Sequence, residues 1–257
     1  MSLIFDSRYL FIRALKKLVR NPILIFFSLF QPIIFLVLFT QLFHSFNLLP
    51  GFPPGVSYLS FAAAGILLQN AFSSALQSGT SIVEDLNSGF LQKMLVTQVS
   101  RPAILLGRLA TDAFRVTVQS AIILALAYLL GFRVETGILG ILLILFIIAF
   151  FGLAWSGISL ALGMRTKSSE TVFALGGFVT FPLLFMSTAL VPTTFMPSWM
   201  QYVSDVNPIS IAVDAVRDLS LPGYFSLSTE VFALLVIAGI AVVTMGATLY
   251  LFRKIVS

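Results

Sequence analysis

The sequence predicts an all-α membrane protein with six transmembrane helices, from its composition and from the length of its apolar segments. Of its 257 residues, 58% are hydrophobic and 10% are charged, whereas a soluble domain carries about 25% charged residues. Six apolar segments are long enough for a helix of about 20 residues to cross a bilayer core of about 30 Å. They are residues 22–43, 57–80, 108–131, 137–162, 171–190 and 231–251. No linker divides them, so residues 1–257 are expected to form one membrane domain.

The placement of positive charge predicts the orientation of the spans. All of the 15 Lys and Arg residues except Arg133 and Arg217 fall in or beside the termini and the connections that follow spans two and four. Because Lys and Arg concentrate on the cytoplasmic side, both termini are expected there, and the protein is expected in the cytoplasmic membrane. The net charge of +5 is thus explained by membrane orientation, and nucleic acid is not expected as a partner.

Residues 3–20 precede the first span and are amphipathic. Arg13 and Lys16 fall on one face of a helix, and Phe5 and Tyr9 fall on the other. Such a helix lies in the headgroup region, where its cations meet anionic lipid. The alternative is that residues 3–20 only supply positive charge that sets the topology of the first span. However, their apolar face has more apolar residues than a topology signal needs. We expect an interfacial helix in contact with membrane lipid.

The second span is the least apolar and carries a stripe of polar side chains. Gln69, Ser73 and Gln77 recur every four residues, and Asn70 and Ser74 lie on the adjacent face. Amides and hydroxyls are costly in lipid, so this stripe must face protein or water. Two interpretations stay open: the stripe lines a path for a transported molecule, or it forms hydrogen bonds between helices.

The third span begins with a charge cluster made of Arg108, Asp112 and Arg115. Counting back from the outer end of the span places Arg115 about one turn inside the hydrocarbon, where it must pair with Asp112 or extend to the interface. The cluster is expected to anchor the inner end of the span. A site for a transported ion is less favoured, because a carboxylate beside two Arg residues stays ionised.

Residues 84–97 form a polar, helical segment between the second and third spans, on the predicted cytoplasmic side. The residues expected to contact a partner are Glu84, Asp85, Phe90, Leu91, Lys93, Met94 and Leu95. An apolar centre with a charged rim is typical of a protein interface. The alternative is an amphipathic segment that rests on the membrane.

The connection before the last span predicts two short helices within residues 195–220. The second begins at Asn207 as N-cap, with Pro208 at its first helical position. Its apolar face is opposed by Asp214 and Arg217. This helix is too short and too charged to cross the bilayer, so it is expected to enter the outer leaflet or to pack over the bundle.

Small residues mark the fourth and fifth spans. Gly152, Ser159 and Gly163 share one seam of span four, a pattern that favours close packing of two helices. Gly176 and Pro182 in span five are candidates either for flexing or for close packing.

Several kinds of chemistry are missing from the sequence. There is no GxxxxGK loop followed by Ser or Thr, so the chain has no phosphate-binding loop of that type for ATP. His44 is the only His and there is no Cys, so neither a catalytic triad nor a His–Cys metal site is expected. We predict no catalytic residue, no metal site and no cofactor on this chain.

The stretch EDLNSGFLQKMLVTQVSRPAILLGRLATDAFR resembles the region after the second span in the type-2 permease family of ATP-binding-cassette (ABC) exporters. It is most similar to the daunorubicin-resistance-like branch. The matching positions are Gly89, Leu95, Ser100–Arg101, Gly107–Arg108, Asp112 and Arg115. FQPIIFLVLFTQLF in span one and NPISIAVDAVRDL before span six also resemble that family. Gln98 departs from the pattern, which often has Pro there.

The resemblance implies a subunit that pairs with a second copy of itself or with a related permease and binds two ABC ATPase subunits, which hold ATP and Mg. It further implies that 84–97, Gly89 included, is a coupling helix, that 3–20 is a connecting helix and that 195–220 are re-entrant helices. The path would run beside spans one, two and five. The expected cargo is an amphipathic small molecule, drug or lipid. The alternatives are a lipid-linked polysaccharide, or a passive channel or scaffold that needs no ATPase.

Overall fold

The computed structural model describes residues 3–20, 22–96 and 101–256, and within these ranges the chain forms helices and their connections without a strand. The helices are α1 Leu3–Val19, α2 Pro22–Leu42, α3 Tyr58–Asn87, α4 Phe90–Leu95, α5 Arg101–Leu129, α6 Gly137–Thr166, α7 Ser169–Phe185, α8 Ser198–Asp205, α9 Pro208–Ser220 and α10 Leu227–Val256. The all-α prediction is confirmed for this part of the chain. Gln98 and Ser100, which belong to the family resemblance, lie outside it, as does residue 97.

Among the described residues, four helices are long enough and apolar enough to cross a bilayer: α3, α5, α6 and α10. The apolar part of α2, Phe26–Leu42, and α7 are shorter. α7 has 17 residues, which corresponds to about 25 Å. The predicted fifth span, 171–190, is therefore too long at its outer end, where residues 187–190 form a turn that α9 holds in place.

α3 lies at the centre of the bundle and packs against α2, α5, α6, α7 and α9. Its contact with α6 depends on two glycines. A Cβ atom added to Gly79 would lie 2.5 Å from the carbonyl oxygen of Ser159, and one added to Gly163 would lie 2.5 Å from that of Gly79. The small residues of span four thus serve close packing, as predicted. α10 packs on the opposite side of α6 and leaves apolar side chains such as Val242 exposed.

The predicted helix over residues 84–97 is divided in the structure. α3 continues to Asn87, so Glu84 and Asp85 belong to its last turn. Gly89 then adopts a left-handed conformation with φ of +69°, and α4 begins at Phe90. Glycine reaches this conformation at low cost because it has no Cβ. The chain therefore turns at Gly89 instead of continuing as one coupling helix.

The two helices predicted within 195–220 are present as α8 and α9. The side chain of Asn207 accepts a hydrogen bond from the backbone N–H of Ile209 at 3.0 Å, and Pro208 is the first residue of α9. The predicted apolar face is fully buried and consists of Ile209, Ala212, Val213, Val216 and Leu219. Arg217 departs from the prediction: it is 6% exposed and does not lie on an open polar face.

α1 packs along α5 as an amphipathic helix next to the bundle. The rings of Phe11 and Phe114 meet edge to face at 5.8 Å, and Leu10 packs against the inner end of the core. Phe5 and Tyr9 are exposed apolar residues of the same helix.

Candidate functional site

A cavity of about 370 Å³ lies between α2, α3, α5 and α7. Its polar lining residues are Gln69, Asn70, Ser73, Ser74 and Gln77 of α3, Ser28 and Gln31 of α2, Gln119 of α5 and Thr180 of α7. All five residues of the predicted stripe on span two therefore face the same cavity. Gln69 lies about 16 Å along α3 from the first residue of that helix, near the middle of the predicted span.

The other side of the cavity is aromatic and partly open. Phe27 of α2 and Phe173 and Phe181 of α7 line it and are 63%, 53% and 56% exposed. Phe72 of α3 lines the buried side and is 2% exposed. The cavity is thus closed by α3 and α5 and opens where α2 and α7 lie. Small-molecule sites in proteins combine apolar walls with polar groups that orient the ligand, and this cavity has both.

Part of the polar lining also holds helices together. The amide nitrogen of Asn70 donates to the hydroxyl of Ser120 at 3.2 Å. The amide nitrogen of Gln119 donates to the hydroxyl of Ser28 at 2.7 Å. Some side chains of the stripe therefore bond to neighbouring helices, and the stripe as a whole lines a cavity.

Three buried atoms in this lining have no hydrogen-bond partner among the described residues: Gln69 Oε1, Gln119 Oε1 and Thr180 Oγ1. Gln119 and Thr180 were not among the predicted site residues. Gln119 lies in a polar stretch of span three with Thr117 and Ser120, and Thr180 is a single hydroxyl in an apolar stretch of span five, which was the available signal in the sequence. Their common location could not be deduced, because it depends on how α5 and α7 pack on α3.

Arg115 of α5 lies behind the cavity wall and supports it. Its guanidinium donates to the hydroxyl of Ser74 at 2.9 Å and to the backbone carbonyl of Ser74 at 2.7 Å. It also pairs with Asp112 at 3.0 Å, as predicted from their spacing. Asp112 in turn accepts a hydrogen bond from Ser78. A buried guanidinium with several partners is fixed in place.

Arg108 does not join this pair. Its guanidinium binds the carboxylate of Asp85 at 2.7 Å and so connects α5 to the last turn of α3. The predicted three-residue cluster is therefore two separate contacts. Four pairs link the antiparallel helices, Asn70–Ser120, Ser74–Arg115, Ser78–Asp112 and Asp85–Arg108, and we call them the α3–α5 ladder. The ladder runs from the cavity to the start of α4.

Among the apolar side chains predicted to contact a partner at α4, Leu91 faces inward, and Phe90 and Met94 are partly buried. Leu91 is 1% exposed, and Met94 is half-buried against the same inner cluster. The ring of Phe90 lies 3.7 Å from the guanidinium of Arg13 on α1. The side chain of Leu95 is outside the described part of the structure. Burial of these apolar groups stabilises the packing of α4 against the bundle. The side of α4 that is open to solvent is therefore more polar than predicted.

Within residues 84–96, which comprise the last turn of α3 and α4, the exposed residues are Glu84, Asn87, Ser88, Gln92, Lys93 and Val96. Val96 is 86% exposed. Lys93 thus lies on the exposed surface as expected, while Asp85 is engaged with Arg108.

Arg217 of α9 closes the end of the bundle where α3 begins. Its guanidinium donates to the backbone carbonyls of Phe61 at 3.1 Å and Ala189 at 3.2 Å and also to that of Thr188. It pairs with Asp214 at 3.1 Å and lies 3.6 Å from the ring of Phe61. Burial lowers the pKa of Arg217 to about 10, and the attraction of Asp214 opposes this shift. The group therefore stays charged at neutral pH.

Asn207 completes the closure at this end of the bundle. Its side-chain nitrogen donates to the backbone carbonyls of Leu183 at 2.7 Å and Met186 at 3.0 Å, at the end of α7. One residue thus caps the start of α9 and binds the end of α7. Among the described residues, no group of three or more His, Cys, Asp or Glu side chains could hold a metal ion.

Comparison with known proteins connects this architecture to a family. The ABC-2 type transporter family model matches residues 7–221. The chain is 32% identical over 245 residues to the daunorubicin resistance ABC transporter permease protein DrrB1 of Streptomyces coeruleorubidus, which covers 94% of this chain and 84% of that protein. It is 31% identical over 225 residues to a putative transport permease ycf38 of Pyropia yezoensis, covering 85% and 75%. It is 26% identical over 238 residues to a probable doxorubicin resistance ABC transporter permease protein, DrrC, of Mycobacterium tuberculosis, covering 90% and 82%. The chain belongs to the ABC-2 type transporter family.

Proposed function

We propose that the chain is the membrane subunit of an ATP-driven exporter that moves an amphipathic small molecule, drug or lipid outward through the cavity between α2, α3, α5 and α7. The observation that carries the proposal is the cavity itself, with a polar wall and an aromatic wall near the middle of the bundle. Two relatives that are named as daunorubicin and doxorubicin resistance permeases support this cargo class. The cavity volume of about 370 Å³ suits one drug-sized molecule better than a polysaccharide strand.

Energy would come from two separate ABC ATPase subunits, which bind ATP and Mg. Their docking surface would be the exposed end of α3 together with α4, where Lys93 and Val96 face solvent. Leu91 faces the bundle, which supports a docking mode that differs from the predicted apolar contact. In this mode the ATPase contacts the polar side of α4, and the apolar side anchors α4 to the bundle.

The α3–α5 ladder would carry movement from α4 to the cavity. A shift of α4 moves the last turn of α3, and the Asp85–Arg108 pair transfers this to α5. Arg115 holds both the side chain and the backbone of Ser74, so the same shift reaches the cavity wall. Such coupling requires that contacts in the cavity differ between two states of the protein.

The open side of the cavity would be covered by a second copy of the chain or by a related permease. Phe26 and Phe30 of α2 and Phe178 and Phe185 of α7 are apolar and exposed next to it. Large exposed apolar patches mark interaction surfaces or lipid contacts. In this arrangement α2 and α7 complete six spans, both termini lie in the cytoplasm, and the complex lies in the cytoplasmic membrane.

The test is ATP-dependent uptake of a fluorescent amphiphile into inside-out vesicles that contain the complex. The double variant Ser73→Leu with Gln77→Leu fills the polar side of the cavity. We expect uptake to fall about tenfold or more, as expected when more than about 1.4 kcal/mol of binding is lost, while the ATPase still co-purifies. Thr117→Val, on α5 outside the cavity, is the matched control and should leave uptake unchanged. Full uptake by the double variant would contradict the proposed path.

A further inference from the structure

Two acidic side chains lie together where α9 packs against the start of α10. Asp218 is on α9, and the side chain of Thr229, in the first turn of α10, hydrogen-bonds to it. The next residue, Glu230, is 7% exposed, and its Oε1 atom is buried without a hydrogen-bond partner among the described residues. Asp218 is close enough to repel a charge on Glu230. In the described part of the chain, no ion pair includes either acid.

The charged residues of α9 do not neutralise this pair. Asp214 lies one turn before Asp218 and adds a further negative charge. Arg217 is the only cation on α9. Its guanidinium is engaged with Asp214 at 3.1 Å and with backbone carbonyls of other elements. The positive charge of α9 is therefore used on the side of the helix away from the pair.

The other elements packed on α9 and α10 add no cation to the pair. α3 and α6 carry charged residues only in their last turns, at the opposite end of the bundle. In the connection before α6, Glu135 is an acid, and Arg133 lies on the ring of Tyr128 at 4.1 Å and donates to its backbone carbonyl. The charged residue of α8 is Asp205, a further acid. The surroundings of Asp218 are therefore mainly acidic.

These surroundings favour a proton on the pair. Burial without a cation favours the neutral form of a carboxyl group, and two acids that repel each other release their protons in separate steps. Burial raises the pKa of Asp218, the hydrogen bond from Thr229 lowers it, and the charge of Asp214 raises it. The N-terminus of α10 attracts a carboxylate at Glu230, but this effect is smaller than the cost of burying an unpaired charge.

The pair is within reach of protons from water. α10 has 30 residues and is about 45 Å long, whereas the bilayer core is about 30 Å thick. Its first turn, which contains Glu230, therefore projects beyond the hydrocarbon, in agreement with the predicted sixth span of 231–251. The proton can leave or return without crossing the membrane.

We propose that Asp218 and Glu230 hold one shared proton at neutral pH and that this proton keeps α9 packed against α10. When the proton leaves, two carboxylates repel each other across the contact and α9 loosens. The end of the bundle that Arg217 closes is then held less firmly. In the proposed orientation this end faces outward, so the external pH controls its closure. The inference depends neither on the cargo nor on the ATPase.

The direction of the pH dependence follows from proton binding. In the unfolded chain both carboxyl groups lose their protons near their ordinary pKa of about 4. The folded protein keeps one proton to higher pH, because the pKa of Asp218 is raised. The stabilisation is therefore fully present below about pH 4 and is lost as the pH rises through the pKa of the folded state. Above that value, opening of the contact becomes more favourable by about tenfold per pH unit.

Hydrogen exchange of the α9 backbone tests this in the full-length protein, in nanodiscs of neutral phospholipid. Exchange is followed from about pH 5.5 to about pH 8.5, above the ordinary carboxyl range. Glu230→Gln has nearly the same volume and cannot lose a proton. The protection of α9 in the unchanged protein is divided by that in Glu230→Gln at the same pH, which cancels the intrinsic pH dependence of exchange. We expect this ratio to fall by about tenfold or more across the range. A constant ratio would overturn the proposal.

Infrared spectroscopy of the same sample detects the proton directly, through the carbonyl stretch of a protonated carboxyl group. We expect this band at neutral pH in the unchanged protein, and we expect its titration to move to lower pH in Asp218→Asn, which keeps an acceptor for Thr229. Glu170→Gln, at an exposed acid in the first turn of α7, is the matched control and should keep both the band and its titration. Absence of the band in the unchanged protein, or an unmoved titration in Asp218→Asn, would show that no proton is shared.

Discussion

Arg115 donates to both the hydroxyl and the backbone carbonyl of Ser74, at 2.9 Å and 2.7 Å. Ser74 faces the cavity, whereas Arg115 lies behind it, paired with Asp112. The contact fixes one turn of α3 relative to α5 at the depth of the cavity. A charged residue inside a membrane helix therefore has a positioning role here that does not require it to touch a ligand.

The first prediction concerns this buried pair. Asp112→Ala leaves the guanidinium of Arg115 without its carboxylate, and removal of one partner of a buried pair costs about 3–5 kcal/mol. Asp112→Leu combined with Arg115→Met removes both charges and should cost less than the single change. Thermal unfolding of the purified protein measures both. Arg165→Ala, at an exposed site, is the control and should change stability by less than about 1 kcal/mol. Equal loss in the single and double variants would contradict the pairing.

The second prediction concerns the contact of α3 with α6. Gly79→Ala places a Cβ atom 2.5 Å from the backbone oxygen of Ser159, so the helices must separate. We expect a loss of stability of at least about 1–3 kcal/mol, which is typical of overpacking. Gly239→Ala on α10 is the matched control, because its Cβ meets no atom within 4 Å. That change should stabilise α10 by about 1 kcal/mol through helix propensity. A higher melting temperature for Gly79→Ala than for Gly239→Ala would contradict the close contact of α3 with α6.

The third prediction concerns the turn at Gly89. Its φ of +69° is left-handed and its surroundings are open, so Gly89→Ala meets a backbone cost of about 1–2 kcal/mol and no clash. We expect Gly89→Ala to displace α4 and to weaken co-purification of the ATPase. Gly89→Asn should retain more of it, since Asn tolerates this conformation. If Gly89→Ala and Gly89→Asn retain equal amounts of the ATPase, the left-handed turn at Gly89 is not needed for association.

The fourth prediction concerns the outer end. Arg217→Met leaves the backbone carbonyl oxygens of Thr188 and Ala189, which lie outside a helix, without their donor, and each unsatisfied buried group costs about 1–3 kcal/mol. Arg217→Lys should restore only part of this loss, because an ammonium is a point charge and cannot reproduce the planar set of donors. Limited proteolysis from the outer side should detect the release of α9. Unchanged cleavage in Arg217→Met would show that α9 is held by its apolar face alone.

Features set by local spacing could be read from the sequence. The stripe on α3, the Asp112–Arg115 pair and the Asn207–Pro208 helix start all follow from positions within one or two turns of a helix. Asp85–Arg108 could not be predicted, because its partners lie on different helices and meet only when α3 and α5 pack. The burial of Arg217 could not be predicted because, apart from Asp214 on the same helix, its partners are backbone carbonyls, which carry no sequence signal. Leu91 and Phe90 were expected to face a partner because the sequence does not reveal that α1 and the inner core cover them.

The most direct test of ATPase docking at α4 is site-specific crosslinking in the assembled complex. The chain contains no Cys, so Lys93→Cys introduces one thiol on the exposed side of α4, and Leu48→Cys introduces one in the first outer connection, where Leu48 is 79% exposed. With a reagent that carries a maleimide at one end and a photoreactive benzophenone at the other, Lys93→Cys is expected on illumination to crosslink to the ATPase that co-purifies with the protein, and Leu48→Cys is not. A complex that crosslinks from Leu48→Cys, or that remains assembled without any crosslink from Lys93→Cys, would contradict the account.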